Sequence, residues 1–320
     1  MRKQALNACF VLLPIVCLSL AGDSTTRSIP GSINRIEGLA LLDGKPLVDG
    51  RAALALIRKS STIVTAAAYA EVLLDPGMFL RIGPNTAARF VTIESGNIRI
   101  QLDRGEVLLD AAAAPRGAVS ISFNRVTVRA LESGLYEMDA DHLRSQIYAG
   151  RAEVRYAAGV LQLRKREQVN YLNNALSVQR FETDRVDALY VWSARVAEYE
   201  AVASYGVALT LRSNPDGAAW RWDNAMHCWA YVPKAGTVPD PFGWSYPASA
   251  RELREALILN GPYSGYPAAV DRLNHPRVFS TPAGEGTIDL TRAPRLNRPD
   301  VVTPTDQGPG VARSPVPSQP

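Results

Sequence analysis

Few residues of this chain are spaced for chemistry. Its three histidines, His142, His227 and His275, lie far apart, and none has a second at the short helical interval that lets two imidazoles share a metal. His227 and Cys228 are adjacent, but neighbours on an extended strand point to opposite faces, so one ion does not take both. A Cys228 nucleophile served by His142 has no local signature, and a cysteine inside an aromatic stretch is ordinarily packing. No serine sits in a nucleophile-elbow pattern, and Arg81-Ile82-Gly83-Pro84-Asn85 lacks the glycine run and lysine that cradle phosphate. Glu137, Asp139 and Asp141 alternate and share one strand face, where a divalent cation could meet them. With Arg144, Arg151 and Arg155 close by, the expectation is instead a solvated, charge-balanced face. No catalytic residue, cofactor or metal ligand is therefore assigned, and a hydrolase built from scattered residues is the least favoured reading.

The remaining chemistry is aromatic. Trp220, Trp222, Trp229 and Trp244 are four of the five tryptophans, and Tyr231, Phe242 and Tyr246 accompany them. Aromatic faces stack on sugar rings and are favoured at protein interfaces. These four tryptophans are the candidate ligand or partner surface, with plain core packing as the competing use of the same rings.

The elements that must position them change character along the chain. Residues 31–182 read as strands, because apolar and polar residues alternate in short runs: Ile98, Ile100 and Leu102 fall on one face, Arg99 and Gln101 on the other. Each such strand buries one face only, so strands must stack on strands. Glu71-Val72-Leu73-Leu74-Asp75 returns as Glu106-Val107-Leu108-Leu109-Asp110, an echo that suggests a duplicated unit in a stacked β-strand roll or short solenoid. Over 183–206 the spacing becomes helical, with Leu189, Trp192, Val196, Tyr199 and Ala203 on one stripe. Thr183 or Asp184 suits its start and Gly206 its end, and an amphipathic helix of this kind covers an open face of the β domain. Residues 207–262 form an irregular aromatic-rich module broken by Pro and Gly, closing on a short helix that Ser249 and Glu252 can cap. Residues 276–320 hold nine prolines and read as a disordered tail. The fold class expected is mainly β, with one helix and the aromatic module appended.

Residues 1–21 carry Arg2 and Lys3, an apolar run from Ala8 to Leu20, and the small-residue ending Ser19-Leu20-Ala21, the layout of a cleaved secretory signal. The run is short for a membrane-spanning helix, so membrane association is expected only through this segment if it is retained. Its removal lowers the 35 basic residues to 33 against 31 acids, a net charge of +2. That balance gives no electrostatic footprint for nucleic acid. One cysteine, Cys228, is then left, so no internal disulfide forms, and a 47% hydrophobic chain must hold itself by burial.

The stretch Tyr69-Ala70-Glu71-Val72-Leu73-Leu74-Asp75-Pro76-Gly77-Met78-Phe79-Leu80-Arg81-Ile82-Gly83-Pro84-Asn85, continuing to Phe90, resembles the core motif of the FecR-like domain: an acidic-apolar strand, a Pro-Gly turn, then Leu-Arg. Glu132-Ser133-Gly134-Leu135-Tyr136 and Gly150-Arg151-Ala152-Glu153-Val154 are similar to that family's later strands, and the likeness covers about residues 31–180. Trp192-Ser193-Ala194-Arg195, Trp220-Arg221-Trp222-Asp223 and Pro241-Phe242-Gly243-Trp244 look like the sequel found in standalone exported bacterial members. The resemblance implies a non-catalytic, β-rich extracytoplasmic domain, periplasmic or extracellular, of the type known in regulators that sense a loaded outer-membrane receptor and signal to a sigma factor. This chain departs from that regulator by opening directly on its leader, with no cytoplasmic segment to hold a sigma factor. The expectation is recognition of another envelope protein partner, with a glycan bound through the tryptophans as the alternative.

Overall fold

A strand with alternating apolar residues can bury one face, and the chain meets this constraint by winding two sheets against each other. The computed structural model describes residues 29–47, 55–114, 118–172, 175–183 and 186–259; the leader at 1–21 and the tail at 276–320 lie outside the described residues. The first sheet has eight strands in the order β1 (Ile33–Glu37), β5 (Tyr69–Leu73), β6 (Met78–Ile82), β9 (Glu106–Ala111), β12 (Gly134–Asp139), β13 (Arg144–Ala149), β16 (Glu167–Leu172) and β17 (Ala175–Arg180). The second has nine, from β3 (Lys45–Leu47) through β2 (Ala40–Leu42), β4 (Thr62–Thr65), β7 (Ala87–Glu94), β8 (Asn97–Arg104), β10 (Ala118–Phe123), β11 (Val126–Ala130) and β14 (Arg151–Tyr156) to β15 (Gly159–Arg164). Apart from the β3–β2 pair, strand number climbs along both sheets because the chain shuttles between them, a rung further each time. The protein is thus mainly β, a stacked roll.

The alternation read from the sequence sets the core. Ile98, Ile100 and Leu102 of β8 and Val119, Ile121 and Phe123 of β10 meet Val72, Leu80, Ile82, Val107 and Leu109 of the first sheet. The two copies of Glu-Val-Leu-Leu-Asp lie in β5 and β9, on either side of β6. Both turn their Val and second Leu into this core, and both turn the first Leu, Leu73 or Leu108, to the opposite face. That opposite face is covered too, so all five residues of β6 are buried.

The cover is α1 (Ala188–Thr210). Its first turn is capped by Asp187, whose carboxylate accepts from the Tyr190 N–H at 2.7 Å, so the helix begins later than Thr183 or Asp184 would start it. It also runs past Gly206, because Val207 still finds apolar cover under Cys228, Ala230 and Val232. Leu189, Trp192, Val196 and Ala203 of the expected stripe are buried. The far side of the helix is covered as well, by the hairpin of β18 (Ala219–Asp223) and β19 (Cys228–Val232). The pair β20 (Thr237–Pro239) and β21 (Ser245–Pro247), with α2 (Ala250–Leu259), closes the flank.

One turn ties roll to cover. In Asp75-Pro76-Gly77-Met78 the Met78 N–H donates to the Asp75 carbonyl at 2.8 Å, and Gly77 has φ +84°, as a tight reversal with glycine at its third position requires. A Cβ on Gly77 would lie 2.7 Å from the Ala113 Cβ and 2.8 Å from the Tyr231 ring. Gly77→Ala is expected to cost about 2–4 kcal/mol, from left-handed strain plus overpacking. Gly44→Ala, at φ +77° with nothing within 4 Å, should cost only the strain, about 1–2 kcal/mol. Denaturant midpoints of the two variants check this.

Candidate functional site

Arg81 stands in β6 with no exposure to solvent, where an unpaired guanidinium would be untenable. Sheet register places Glu71 of β5 directly opposite it and Asp110 of β9 one pleat along on the same face. Glu200 reaches it from α1. Arg81 Nε donates to Glu71 Oε2 at 2.9 Å, Nη1 to Asp110 Oδ2 at 2.6 Å, and Nη2 to Glu200 Oε2 at 2.9 Å. Asn34 of β1 extends the network: its Nδ2 donates to Glu71 Oε1 at 2.9 Å, and its Oδ1 accepts from the Trp229 N–H of β19 at 2.8 Å. The guanidinium carbon lies 5.2 Å from the Phe79 ring centroid and 5.4 Å from that of Phe242, close enough for cation–π attraction. The adjoining Asp240 accepts from the Phe242 N–H at 2.6 Å and from the Tyr246 hydroxyl at 3.0 Å.

One guanidinium does not neutralise three carboxylates. Burial, with Asp240 nearby, pushes Asp110 up to about 8, and its Oδ1 has no hydrogen-bond partner. Burial and then the charge of Glu71 drive Glu200 well above the usual carboxylate range. Burial also raises Glu71, but its hydrogen bond to Glu200, the charge of Arg81 and the Asn34 amide together hold it below its ordinary value. Burial thus shifts both Glu200 and Asp110 toward their protonated forms. Arg81 is fully buried, and its cluster joins the roll to its cover through Glu200 of α1.

A second polar cluster lies under the first turn of α1 and corrects the reading of Glu137, Asp139 and Asp141 as a solvated face. Glu137 is 1% and Asp139 4% exposed, because α1 and its cap lie over that end of the sheet; Asp141, past the strand end, is exposed. Glu137 accepts from the Tyr148 hydroxyl at 3.1 Å and from Arg144 Nη2 at 3.3 Å. Burial and then Asp187 lift it well above the usual range. Asp139 Oδ1 accepts from the His142 N–H at 2.9 Å, and its Oδ2 meets His142 Nδ1 at 2.7 Å. Burial, Asp187 and Asp139 raise Glu106 to about 7. Among the described residues no three His, Cys, Asp or Glu side chains are grouped to hold a metal.

The tryptophans expected at the surface are largely interior. Trp220, Trp229 and Trp244 are buried and Trp222 is half-buried. Phe79 of β6 meets Trp220 edge-on at 4.9 Å, Trp220 meets Tyr231 at 5.8 Å, and Trp222 meets Trp229 at 5.4 Å. Trp220 Nε1 also donates to the Leu74 carbonyl at 3.3 Å. Of the four, Trp220 packs on Phe79 of β6, where Tyr246 also lies at 6.3 Å. Sequence reasoning passed over Arg81, Glu71, Asp110, Glu200 and Asn34. The signal present was a charge inside Met78-Phe79-Leu80-Arg81-Ile82, since a strand apolar on both faces must pair any charge it carries.

The outer face of the two-sheet roll is covered by a helix whose Glu200 meets the buried Arg81. Residues 61–153 match the family model described as FecR protein, and this part of the roll is a FecR domain. Two crystal structures of a candidate anti-sigma factor from Parabacteroides distasonis are 18% and 17% identical to the chain, each with a TM-score of 0.34. The aligned part is 42% of this chain and 62% of that one. No curated protein matches the chain.

Removing Arg81 leaves buried carboxylates uncompensated, so Arg81→Leu should cost about 3–5 kcal/mol. Glu200→Gln, which mimics the protonated acid, should cost clearly less than Glu200→Ala in the same denaturation assay. The Asp110 pKa is raised on folding, so its contribution is fully present below about pH 4 and is lost as pH rises through about 8. Between these limits wild-type stability relative to Asp110→Asn should fall by up to about 1.4 kcal/mol per pH unit. Parallel slopes for the two proteins in pH-dependent unfolding would show that Asp110 carries no such proton.

Proposed function

We propose that this chain is a non-catalytic binding or sensing protein of the bacterial envelope, exported by its N-terminal segment and working outside the cytoplasm through its FecR domain. The observation that carries the reading is the FecR match over residues 61–153, which supports a signalling or sensing role. The chemistry of the described residues agrees with it. Cys228 is buried and its thiol is pushed up to about 12, chiefly by burial, so it stays protonated and makes a poor nucleophile. Glu137 and Asp139 spend their oxygens on Tyr148, Arg144, His142 and backbone N–H groups, where a hydrolase would leave a carboxylate open to substrate.

The partner surface is then the outside of the closed roll and cover, and recognition is of another envelope protein. The full chain, tagged at its C-terminus and produced in a bacterial host, should fractionate with the periplasm or exterior and crosslink there to one protein partner. Recovery in the cytoplasm with its leader uncleaved would overturn the location. Turnover of a cell-wall substrate that disappears in Cys228→Ala or Glu137→Gln would overturn the non-catalytic reading.

A further inference from the structure

Three glutamines form a row across the first sheet. Gln146 of β13 is in register with Gln168 of β16, and Gln168 with Gln179 of β17, so the three side chains share one face on strands about 4.8 Å apart. Gln146 Nε2 donates to Gln168 Oε1 at 2.9 Å, which fixes the orientation of that amide pair. The row floors a cavity of about 400 Å³ whose wall includes Tyr148 and Phe181, a volume typical of small-molecule sites. Tyr148 packs edge-on against Phe181 at 5.0 Å and leans on Tyr190 at 4.8 Å, so the aromatic wall is rigid while the Phe181 ring stays half-buried.

The charges around the cavity balance. Arg144 and Arg180 line it, and so do Glu182 and Asp187. Arg144 is already turned to Glu137 and Asp139, and one oxygen of Asp187 caps α1. A strongly charged ligand therefore finds no excess of opposite charge, and an apolar one finds mainly amides. What the floor offers is a line of groups that each donate and accept at once, which is also the property of vicinal hydroxyls. The wall offers a ring face against which the C–H face of a sugar can lie. An extended peptide would sooner pair along the edge strand β17 than across three strands.

We propose that this cavity binds a saccharide, with Gln168 and Gln179 taking its hydroxyls and Phe181 its ring face. The site is separate from the tryptophans and does not depend on the sensing role. It is tested with the full chain by calorimetric titration of chitotriose, maltotriose and a trigalacturonate, with trialanine as the peptide control. At least one trisaccharide is expected to bind with a Kd below about 10 mM. Gln168→Ala combined with Gln179→Ala should weaken it about tenfold, and Trp222→Ala should leave it unchanged. If the double variant does not fold by circular dichroism, Gln179→Ala alone, on an exposed edge strand, serves the same purpose. Failure of all three sugars to bind, binding that survives the glutamine changes, loss of binding in Trp222→Ala, or binding of trialanine instead would each overturn the proposal.

Discussion

A guanidinium with no access to water must be paired in the folded chain, and Arg81 imposes that constraint on this protein. Glu71 and Asp110 come to it from the strands on either side of β6, and Glu200 from the helix above. Charge pairs of this kind add little net stability over a well-packed apolar core, but a partner missing from one is costly. α1 is seated where Glu200 meets Arg81 while Trp220 and Tyr246 pack on Phe79. Asn34 repeats the logic at a second point, since its amide bridges Glu71 to the backbone of β19.

The fold was legible wherever one physical rule acted alone. Ile98, Ile100 and Leu102 alternate because only the sheet period acts on β8, and the structure buries those three. The echo of Glu-Val-Leu-Leu-Asp was visible because both copies flank β6 with the same sidedness. The helix limits were less legible: Asp187 and Gly206 are read correctly only when it is known what covers each end. Trp220 is chemically identical whether it stacks on a ligand or on Phe79, and the choice rests on a hairpin of β18 and β19 that lies back over the roll. Glu200 could not be paired from the sequence because its partner lies 119 positions away in the chain.

The same arrangement distributes work between two places. The cluster around Arg81 is buried, and its consequences are stability and pH linkage. The groove on β13, β16 and β17 is open and lined with groups that exchange hydrogen bonds readily. The outer sheet is thus covered over β6 and borders a cavity at β13, β16 and β17. The cover is in this sense part of the domain, since without it Arg81, Phe79 and Leu73 would face water.

The central claim is that roll, helix and tryptophan hairpin are one cooperative unit. It is tested most directly by following denaturant unfolding of the full chain with two probes: tryptophan fluorescence, which reports mainly the cover, and far-ultraviolet circular dichroism, which reports mainly the strands. Coincident transitions with one midpoint are expected for a single unit. A fluorescence transition complete at lower denaturant, while the strand signal remains, would mean that the cover is a separate module resting on the roll, and that Arg81 does not hold the two together.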